Sequence, residues 1–217
     1  VAYNAPHAPL QATEKYLSRF AHIKDKRRRT YAAMVSAVDD GVGRILQALQ
    51  AHDIDDNTLV VFLSDNGGAL KKNASDNGDL RGKKATPFEG GIRVPFAARW
   101  PAKIPSGIDY QHPVISLDIL ATIASQVNAP IDPAKPLDGK DLIPYLTGDN
   151  SARPHQRLYW KSYDKGYLLV RDGDTKALVP YGDYTSPMVF DMATDWQEQH
   201  NRYQNSKPIY EKLHQHM

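Results

Sequence analysis

Apolar residues in the first part of the chain alternate between helical and strand-like spacing. Over residues 25–51 they recur every three or four positions, which predicts an amphipathic helix. Four apolar residues beginning at Val60 predict a short strand that is buried on both faces of a parallel sheet. A second strand is predicted over residues 96–100, and a second helix over residues 116–128. The predicted apolar face of this second helix consists of Ile119, Leu120, Ile123 and Val127.

The pattern changes after residue 147. Residues 148–154 are rich in small, polar and turn-forming residues and are interpreted as a linker. Short apolar runs then predict strands over residues 157–161, 166–171, 176–179 and 188–191, and a terminal helix over residues 207–216. Asp172-Gly173-Asp174 predicts a hairpin between the middle strands. We therefore expect residues 1–150 to form an α/β part, and residues 151–217 to form a small α+β subdomain with an antiparallel sheet.

Composition and charge mainly exclude certain kinds of function and binding site. The 217 residues carry a formal net charge of +2. The Arg27-Arg28-Arg29 cluster at a helix start is interpreted as a solvated helix end, so no nucleic-acid partner is expected. The absence of cysteine excludes disulfides, thiol catalysis and thiolate metal ligands within the chain. No run of about 18 apolar residues occurs, so no membrane span is expected.

A polar elbow, Ser64-Asp65-Asn66-Gly67-Gly68, follows the first predicted strand. Ligands of open α/β sheets gather at the carboxyl ends of strands, which makes Asp65 and Asn66 candidate ligands. A carboxylate beside an amide carbonyl offers hard oxygen donors, which Ca²⁺ and Mg²⁺ prefer. Gly67 and Gly68 would let the backbone turn sharply. The alternative is an ordinary turn, because Asp-Asn-Gly is common turn chemistry.

Three further features could contribute to a site. His7 lies between prolines, so its imidazole is held on a stiff loop and could contact an anion or protonate a leaving group. Lys83 and Lys84 lie among small residues, where an ammonium group can approach a phosphate or sulfate oxygen. The alternative for each is an ordinary solvated loop residue. The polar stretch 71–79 predicts an exposed, mobile loop that could set substrate selectivity.

Taken in order, these motifs resemble those of the sulfatase family, within the alkaline-phosphatase-like superfamily. The matching stretches are residues 5–11, 31–35 with Asp39 and Gly43, 64–68, 80–84, 89–95, 137–139, 171–174 and 189–192. The resemblance covers nearly the whole chain. It implies part of an alkaline-phosphatase-like mixed sheet flanked by helices, with the small antiparallel sheet and helix after it.

The resemblance also implies roles for particular residues. Asp65 and Asn66 match two ligands of the catalytic divalent cation, usually Ca²⁺, with Mg²⁺ as the alternative. Lys84, rather than Lys83, matches the lysine that contacts the sulfate, and His7 matches the active-site histidine, a candidate general acid. The implied substrate is a sulfated carbohydrate or an aryl sulfate, and the implied location is periplasmic or secreted. Glu89 and Arg93 are interpreted as structural.

One departure from the family pattern matters most. Sulfatases use a Cys-x-Pro-x-Arg or Ser-x-Pro-x-Arg motif whose first residue becomes the formylglycine nucleophile, and this chain has neither. The first pair of metal-binding aspartates is also missing. We therefore expect the C-terminal portion of a longer sulfatase, inactive without the N-terminal part that supplies formylglycine. The alternatives are a phosphoesterase or phosphonate hydrolase of the same superfamily, and a noncatalytic module that binds sulfated glycans.

Overall fold

The computed structural model describes residues 1–162, 166–180 and 186–215. The predicted end of the terminal helix, at residue 216, lies outside these residues. Helices of the α type are α1 (Glu14–Leu17), α2 (Lys26–Ala51), α3 (Glu89–Ile92), α4 (Leu117–Gln126), α5 (Ile143–Leu146) and α6 (Lys207–His214). Short 3₁₀ helices span Ser18–Phe20, Leu70–Lys72 and Tyr203–Asn205. Strands are β1 (Val60–Leu63), β2 (Phe96–Arg99), β3 (Arg157–Ser162), β4 (Tyr167–Asp172), β5 (Thr175–Pro180) and β6 (Met188–Asp191).

Helix α2 confirms the clearest prediction from the apolar spacing. It begins after Asp25, whose carboxylate accepts a hydrogen bond from the Arg28 backbone N–H at 2.6 Å, as an N-cap residue does. Gly41 packs closely against Tyr3, because a Cβ there would lie 2.4 Å from the Tyr3 Oη. The loop that carries His7 is thereby placed against the middle of α2.

Strand β1 is not the buried parallel strand that its sequence predicts. It pairs antiparallel with β2 in a sheet of two strands, and Val60 faces Arg99 in the register. One face of the pair, including Val61 and Ala98, lines an apolar cavity shared with α4 and α5. The other face leaves Phe62 42% exposed. A continuous apolar run is typical of burial on both faces, but in the described residues only one face of this strand is covered.

Helix α4 also turns a different face inward from the one predicted. Its buried residues are Asp118, Ala121, Thr122 and Ala124. By contrast, Leu120, Ile123 and Val127 of the predicted apolar face are exposed. The small side chains let the helix pack closely, so the packing partner rather than the apolar stripe decides which face is buried.

A buried aspartate connects α4 to the second part of the chain. The Asp118 carboxylate is fully buried and accepts hydrogen bonds from the backbone N–H groups of Ile115 and Lys140, each at 2.8 Å. Its Oδ1 also lies 2.8 Å from the Nε2 of His155, which is itself buried. Three partners satisfy the carboxylate, which gives Asp118 a structural role.

The four C-terminal strands form an antiparallel sheet in the order β3-β4-β5-β6. The predicted hairpin is confirmed, since Asp172 faces Thr175 across the β4–β5 turn. Both faces of the sheet are covered. One face contributes Val170, Ala177, Val179 and Val189 to a buried cluster that Tyr210 of α6 completes. The other contributes Leu169, Leu178 and Phe190, which are buried together with Met192. This sheet has a hydrophobic core of its own.

Candidate functional site

The elbow after β1 presents two oxygen-bearing side chains. Asp65 is exposed, and its Oδ1 accepts a hydrogen bond from the Asn66 backbone N–H at 2.9 Å. The Asn66 side-chain amide donates to the Gly67 carbonyl at 3.0 Å. The Ser64 hydroxyl donates to the Asn66 carbonyl, also at 3.0 Å. Since the Asn66 nitrogen is engaged by the backbone, its amide is oriented and its Oδ1 is left as an acceptor.

Gly67 and Gly68 serve close packing rather than an unusual turn. Neither residue has a positive φ. A Cβ on Gly67 would lie 1.9 Å from the Gly90 carbonyl oxygen, and a Cβ on Gly68 would lie 2.4 Å from the Ser75 hydroxyl. The elbow therefore lies directly against α3 and the loop after residue 70, which corrects the turn interpretation.

The loop of Lys84 is attached to the elbow by a backbone hydrogen bond. The Lys84 N–H donates to the Gly68 carbonyl at 3.1 Å, and the Gly67 N–H donates to the Gly91 carbonyl at 3.0 Å. Ala85 follows with φ 66°, a left-handed conformation that L-residues rarely adopt. Lys84 is half-buried, whereas Lys83 is exposed. The structure thus brings Asp65, Asn66 and Lys84 into one neighbourhood.

Asn77 holds this neighbourhood together, although its local sequence, Asn-Gly, is typical only of an ordinary turn. Its Oδ1 accepts from the Gly68 N–H at 2.9 Å. Its Nδ2 lies 3.2, 3.1 and 2.9 Å from the carbonyl oxygens of Gly68, Gly82 and Gly90. One side chain thereby joins the elbow, the lysine loop and α3. The prediction of an exposed, mobile loop is wrong for this residue, which is part-buried and bonded on both sides of its amide.

The arginines at the start of α2 fix the same loop from the other side. Arg27 donates to the Lys72 carbonyl, and Arg28 donates to the Ala74 carbonyl at 2.8 Å. Arg29 donates to the Ile23 carbonyl at 2.9 Å. The interpretation as a solvated helix end is therefore wrong for Arg28 and Arg29, which are half-buried, whereas Arg27 is exposed. Each guanidinium is used to satisfy a backbone carbonyl, which a local charge count cannot reveal.

A buried ionic triad braces α3 from the C-terminal sheet. The Lys176 Nζ on β5 lies 2.8 Å from Glu89 Oε1 and 2.7 Å from Glu198 Oε1, and all three side chains are almost fully buried. The second oxygen of Glu198 accepts from the Glu89 backbone N–H at 2.7 Å. Burial raises the pKa of the Glu198 carboxyl, although the Lys176 cation opposes that shift. Glu89 is structural, as predicted, and its partners lie far along the chain.

His7 belongs to a separate surface loop. Its Nδ1 lies 2.7 Å from the Ala8 carbonyl oxygen, which can only accept, so Nδ1 carries the proton. The ring is exposed, and its Nε2 is the nitrogen left for a ligand. Among the described residues, no hydrogen bond or ion pair joins His7 to Asp65, Asn66 or Lys84.

The described part of the chain does not contain a complete metal site. No group of three or more His, Asp or Glu side chains is arranged to hold an ion within it. Asp65 and Asn66 suit a hard cation by oxygen type, but Ca²⁺ takes about six to eight oxygen ligands.

Also within the described residues, no helix is both long and apolar enough to cross a membrane.

Comparison with known protein families finds that two families match this chain. Residues 1–129 match the Sulfatase family, and residues 83–217 match the family described as N-sulphoglucosamine sulphohydrolase, C-terminal. Human steryl-sulfatase is 31% identical over 175 residues, which cover 77% of this chain and 29% of the relative. N-acetylgalactosamine-6-sulfatase from Sus scrofa is 37% identical over 158 residues, which cover 70% of this chain and 29% of the relative.

Solved structures agree with the family match. The crystal structure of Ps i-CgsB superposes with a TM-score of 0.88 and 37% identity, covering 96% of this chain and 46% of that one. Phosphonate monoester hydrolase of Agrobacterium radiobacter has a TM-score of 0.66 and 24% identity over 87% of this chain and 40% of that chain, which shows a shared fold only. The chain thus spans less than half the length of each of these four proteins.

Proposed function

The chain belongs to the sulfatase family, with the mixed α/β fold of the alkaline-phosphatase-like superfamily, and we propose that it is the C-terminal portion of an enzyme that hydrolyses sulfate esters. The observation that carries this proposal is the Lys84 N–H to Gly68 carbonyl hydrogen bond of 3.1 Å. It joins the backbone of the half-buried Lys84 to the elbow that carries Asp65 and Asn66, which supports a shared site. An anion and a divalent cation could be bound side by side there.

The carboxylate of Asp65 and the Oδ1 of Asn66 would hold the cation, Ca²⁺ or alternatively Mg²⁺. Hydrogen bonding of the Asn66 nitrogen to Gly67 supports this fit, because it leaves the amide oxygen free to ligate. A bound cation would supply a Lewis acid that polarises sulfate oxygens. The remaining ligands would come from outside these two residues.

Lys84 and His7 would act on the sulfate ester itself. The Lys84 ammonium would neutralise charge on the sulfate oxygens as the ester bond breaks. His7, protonated at Nε2 while Nδ1 remains bonded to the Ala8 carbonyl, would donate a proton to the leaving oxygen. Such a role requires the His7 loop to face the same substrate as the elbow.

The nucleophile would be a formylglycine in a preceding part of the same enzyme. That part would also cover the exposed Phe62 of β1, the exposed Leu120 of α4 and the exposed Val127 that follows α4. The limited share of each relative that this chain spans supports this arrangement. Without that part, we propose that the chain does not turn over substrate, and we place the whole enzyme in the periplasm or outside the cell.

A sulfated carbohydrate is the proposed substrate class. Two of the proteins reported above support it: the porcine relative is named for a sulfated amino sugar, and Ps i-CgsB has also been crystallised with k-i-k-neocarrahexaose.

Nucleic acid is not a proposed partner. The three arginines at the start of α2 donate to backbone carbonyls, which supports this expectation.

A chimera tests the proposal. This chain would replace the matched segment of Ps i-CgsB, and release of sulfate from a sulfated carbohydrate would be measured together with calcium content. We expect sulfatase activity that falls by about 10²–10³ in Lys84→Ala, because charge stabilisation in the transition state is lost. We also expect reduced calcium content in Asp65→Ala. Lys135→Gln, an exposed lysine elsewhere, is the matched control.

The same chimera separates the alternatives. Faster release of phosphate from a phosphate ester than of sulfate would favour a phosphoesterase. An inactive chimera, combined with binding of the sulfated carbohydrate by this chain alone, would favour a noncatalytic glycan-binding module. Unchanged calcium content in Asp65→Ala would refute the metal assignment.

A further inference from the structure

Two lysine pairs flank the same glycine. Lys71 and Lys72 lie in the 3₁₀ helix that begins two residues after Gly68, and Lys83 and Lys84 lie in the loop bonded to the Gly68 carbonyl. Asn77 bonds both the N–H and the carbonyl of Gly68. The backbones of the two pairs are therefore connected through Gly68, although only Lys84 has a role in the proposed reaction.

The loop that carries Lys71 and Lys72 has a fixed and strained backbone. Leu70 and Ala74, at either end of the pair, have φ values of 53° and 59°. Such conformations cost on the order of 1 kcal/mol each and persist where the surroundings impose them, most often at ligand sites. Here Arg27 and Arg28 hold the carbonyls of Lys72 and Ala74, as described above.

The other end of this loop is held by the Ser75 hydroxyl. It accepts a hydrogen bond from the Leu70 N–H at 2.8 Å, across the turn that contains both lysines. Together with the two arginines, this bond holds the turn, and Asn77 fixes Gly68 just before it. A plain connection between β1 and α3 would not need this reinforcement.

The charges around the pair are unbalanced. Lys71 and Lys72 are exposed, and in the described part of the chain neither ammonium group has an ion-pair or hydrogen-bond partner. Residues 64–93 contain six Lys or Arg residues against four Asp or Glu residues. One of those acids, Glu89, is neutralised by Lys176 in the interior. The surface of the loop thus presents two uncompensated cations near the elbow.

We propose that Lys71 and Lys72 form a second anion subsite, which binds a second sulfate or a carboxylate on the same carbohydrate whose reacting sulfate contacts Lys84. The proposal rests on the proposed function and deepens it. It makes the substrate a polyanionic glycan rather than a sugar with a single charge. Ammonium groups on a rigid turn suit this task, because little ordering of the backbone is needed when the anion binds.

Calorimetric titration of the chain with a monosulfated and a disulfated form of one disaccharide tests the subsite. We expect the disulfated form to bind more tightly. Lys71→Gln/Lys72→Gln should weaken binding of the disulfated form by about three- to fivefold, which is typical of exposed charge pairs. The affinity for the monosulfated form should not change. Raising the salt concentration should reduce the preference. Lys135→Gln/Lys140→Gln removes the same charge from exposed positions elsewhere and should change neither affinity.

The outcomes separate this inference from the proposed function. Equal affinity for both disaccharides, binding of neither, or equal weakening in the control double variant would overturn the subsite. Lys84→Gln should weaken both disaccharides alike. If Lys84→Gln lowers neither affinity, and the disulfated form still binds more tightly through Lys71 and Lys72, the sulfate role of Lys84 fails and the subsite stands.

Discussion

The two sheets of this molecule differ in how completely they bury their own residues. In the C-terminal sheet, Leu178 and Phe190 are fully buried, and both faces carry apolar clusters. In the β1–β2 pair only one face is covered, Phe62 is 42% exposed, and Leu120 of the neighbouring helix α4 is 60% exposed. The candidate site residues Asp65 and Asn66 follow β1, in the less buried of these two sheets.

The difference shows how the site is supported. Through Lys176, the self-contained sheet holds Glu89 at the start of α3. The backbone of α3 then packs against Gly67 of the elbow. The C-terminal sheet therefore acts as a rigid support for the elbow as well as a separate layer. The division of the chain near residue 150 stays a prediction, and both the triad and the Asp118–His155 contact cross it.

Removing the triad's cation is the most direct way to break this support. Lys176→Met leaves two buried carboxylates facing each other, so we expect a loss of about 3–5 kcal/mol in the free energy of unfolding. Urea denaturation followed by circular dichroism measures it.

The triple variant Glu89→Gln/Lys176→Met/Glu198→Gln is the control. It removes all three charges, and we expect it to be more stable than Lys176→Met because no unpaired charge stays buried. A triple variant less stable than the single one would show that packing, rather than charge, sets the stability at this position.

Matched truncations sharpen the contrast between the sheets. Leu178→Ala should cost about 2–5 kcal/mol, because it opens a cavity in a fully buried cluster. Phe62→Ala removes a larger but partly exposed side chain and should cost less than Leu178→Ala. Thermal or urea unfolding of both variants measures the difference. Similar losses would contradict the view that the β1–β2 pair is the less buried sheet.

The smallest effect concerns pH. Burial raises the folded-state pKa of Glu198 above its ordinary value of 4.5, so the folded protein holds this proton more tightly than the unfolded chain. The contribution of Glu198 to stability should therefore fall as pH rises from about 4.5 through the raised pKa. Glu198→Gln removes this titration.

The measurement is the stability of the wild type minus that of Glu198→Gln, determined across this pH range. The difference should decrease with rising pH, and the carboxylates common to both proteins cancel. A difference that increases with pH would show that the Lys176 attraction outweighs burial at Glu198.

Local patterns predicted the parts of the fold that depend on local spacing. Helix α2 and the four C-terminal strands follow from apolar periodicity, and the β4–β5 hairpin follows from Asp172-Gly173-Asp174. The inward face of α4 and the environment of β1 were predicted wrongly, because they depend on which neighbours are present. Further apolar neighbours packed against α4 and β1 would favour the burial that was predicted for these two elements.

The candidate site was predictable residue by residue but not as an assembly. Asp65, Asn66 and Lys84 could be selected from motifs, and the structure places their backbones together. The contacts that assemble them join positions far apart, as in the triad, and leave no local pattern. Lys176 is not marked by a local pattern either, because it only precedes the apolar run of β5 and lies beside the hairpin turn, where a lysine is ordinarily exposed.

The amide of Asn77 also bears on how this protein ages. Asparagine followed by glycine is prone to deamidation, in which the glycine nitrogen attacks the side chain and aspartate results. The Gly78 N–H is instead bonded to Asp76 Oδ1 at 2.9 Å, which restrains that attack while the loop is intact. An aspartate at position 77 could accept but not donate, and would face the carbonyls of Gly68, Gly82 and Gly90. Deamidation at position 77 would therefore loosen the elbow through a residue that has no proposed part in the chemistry.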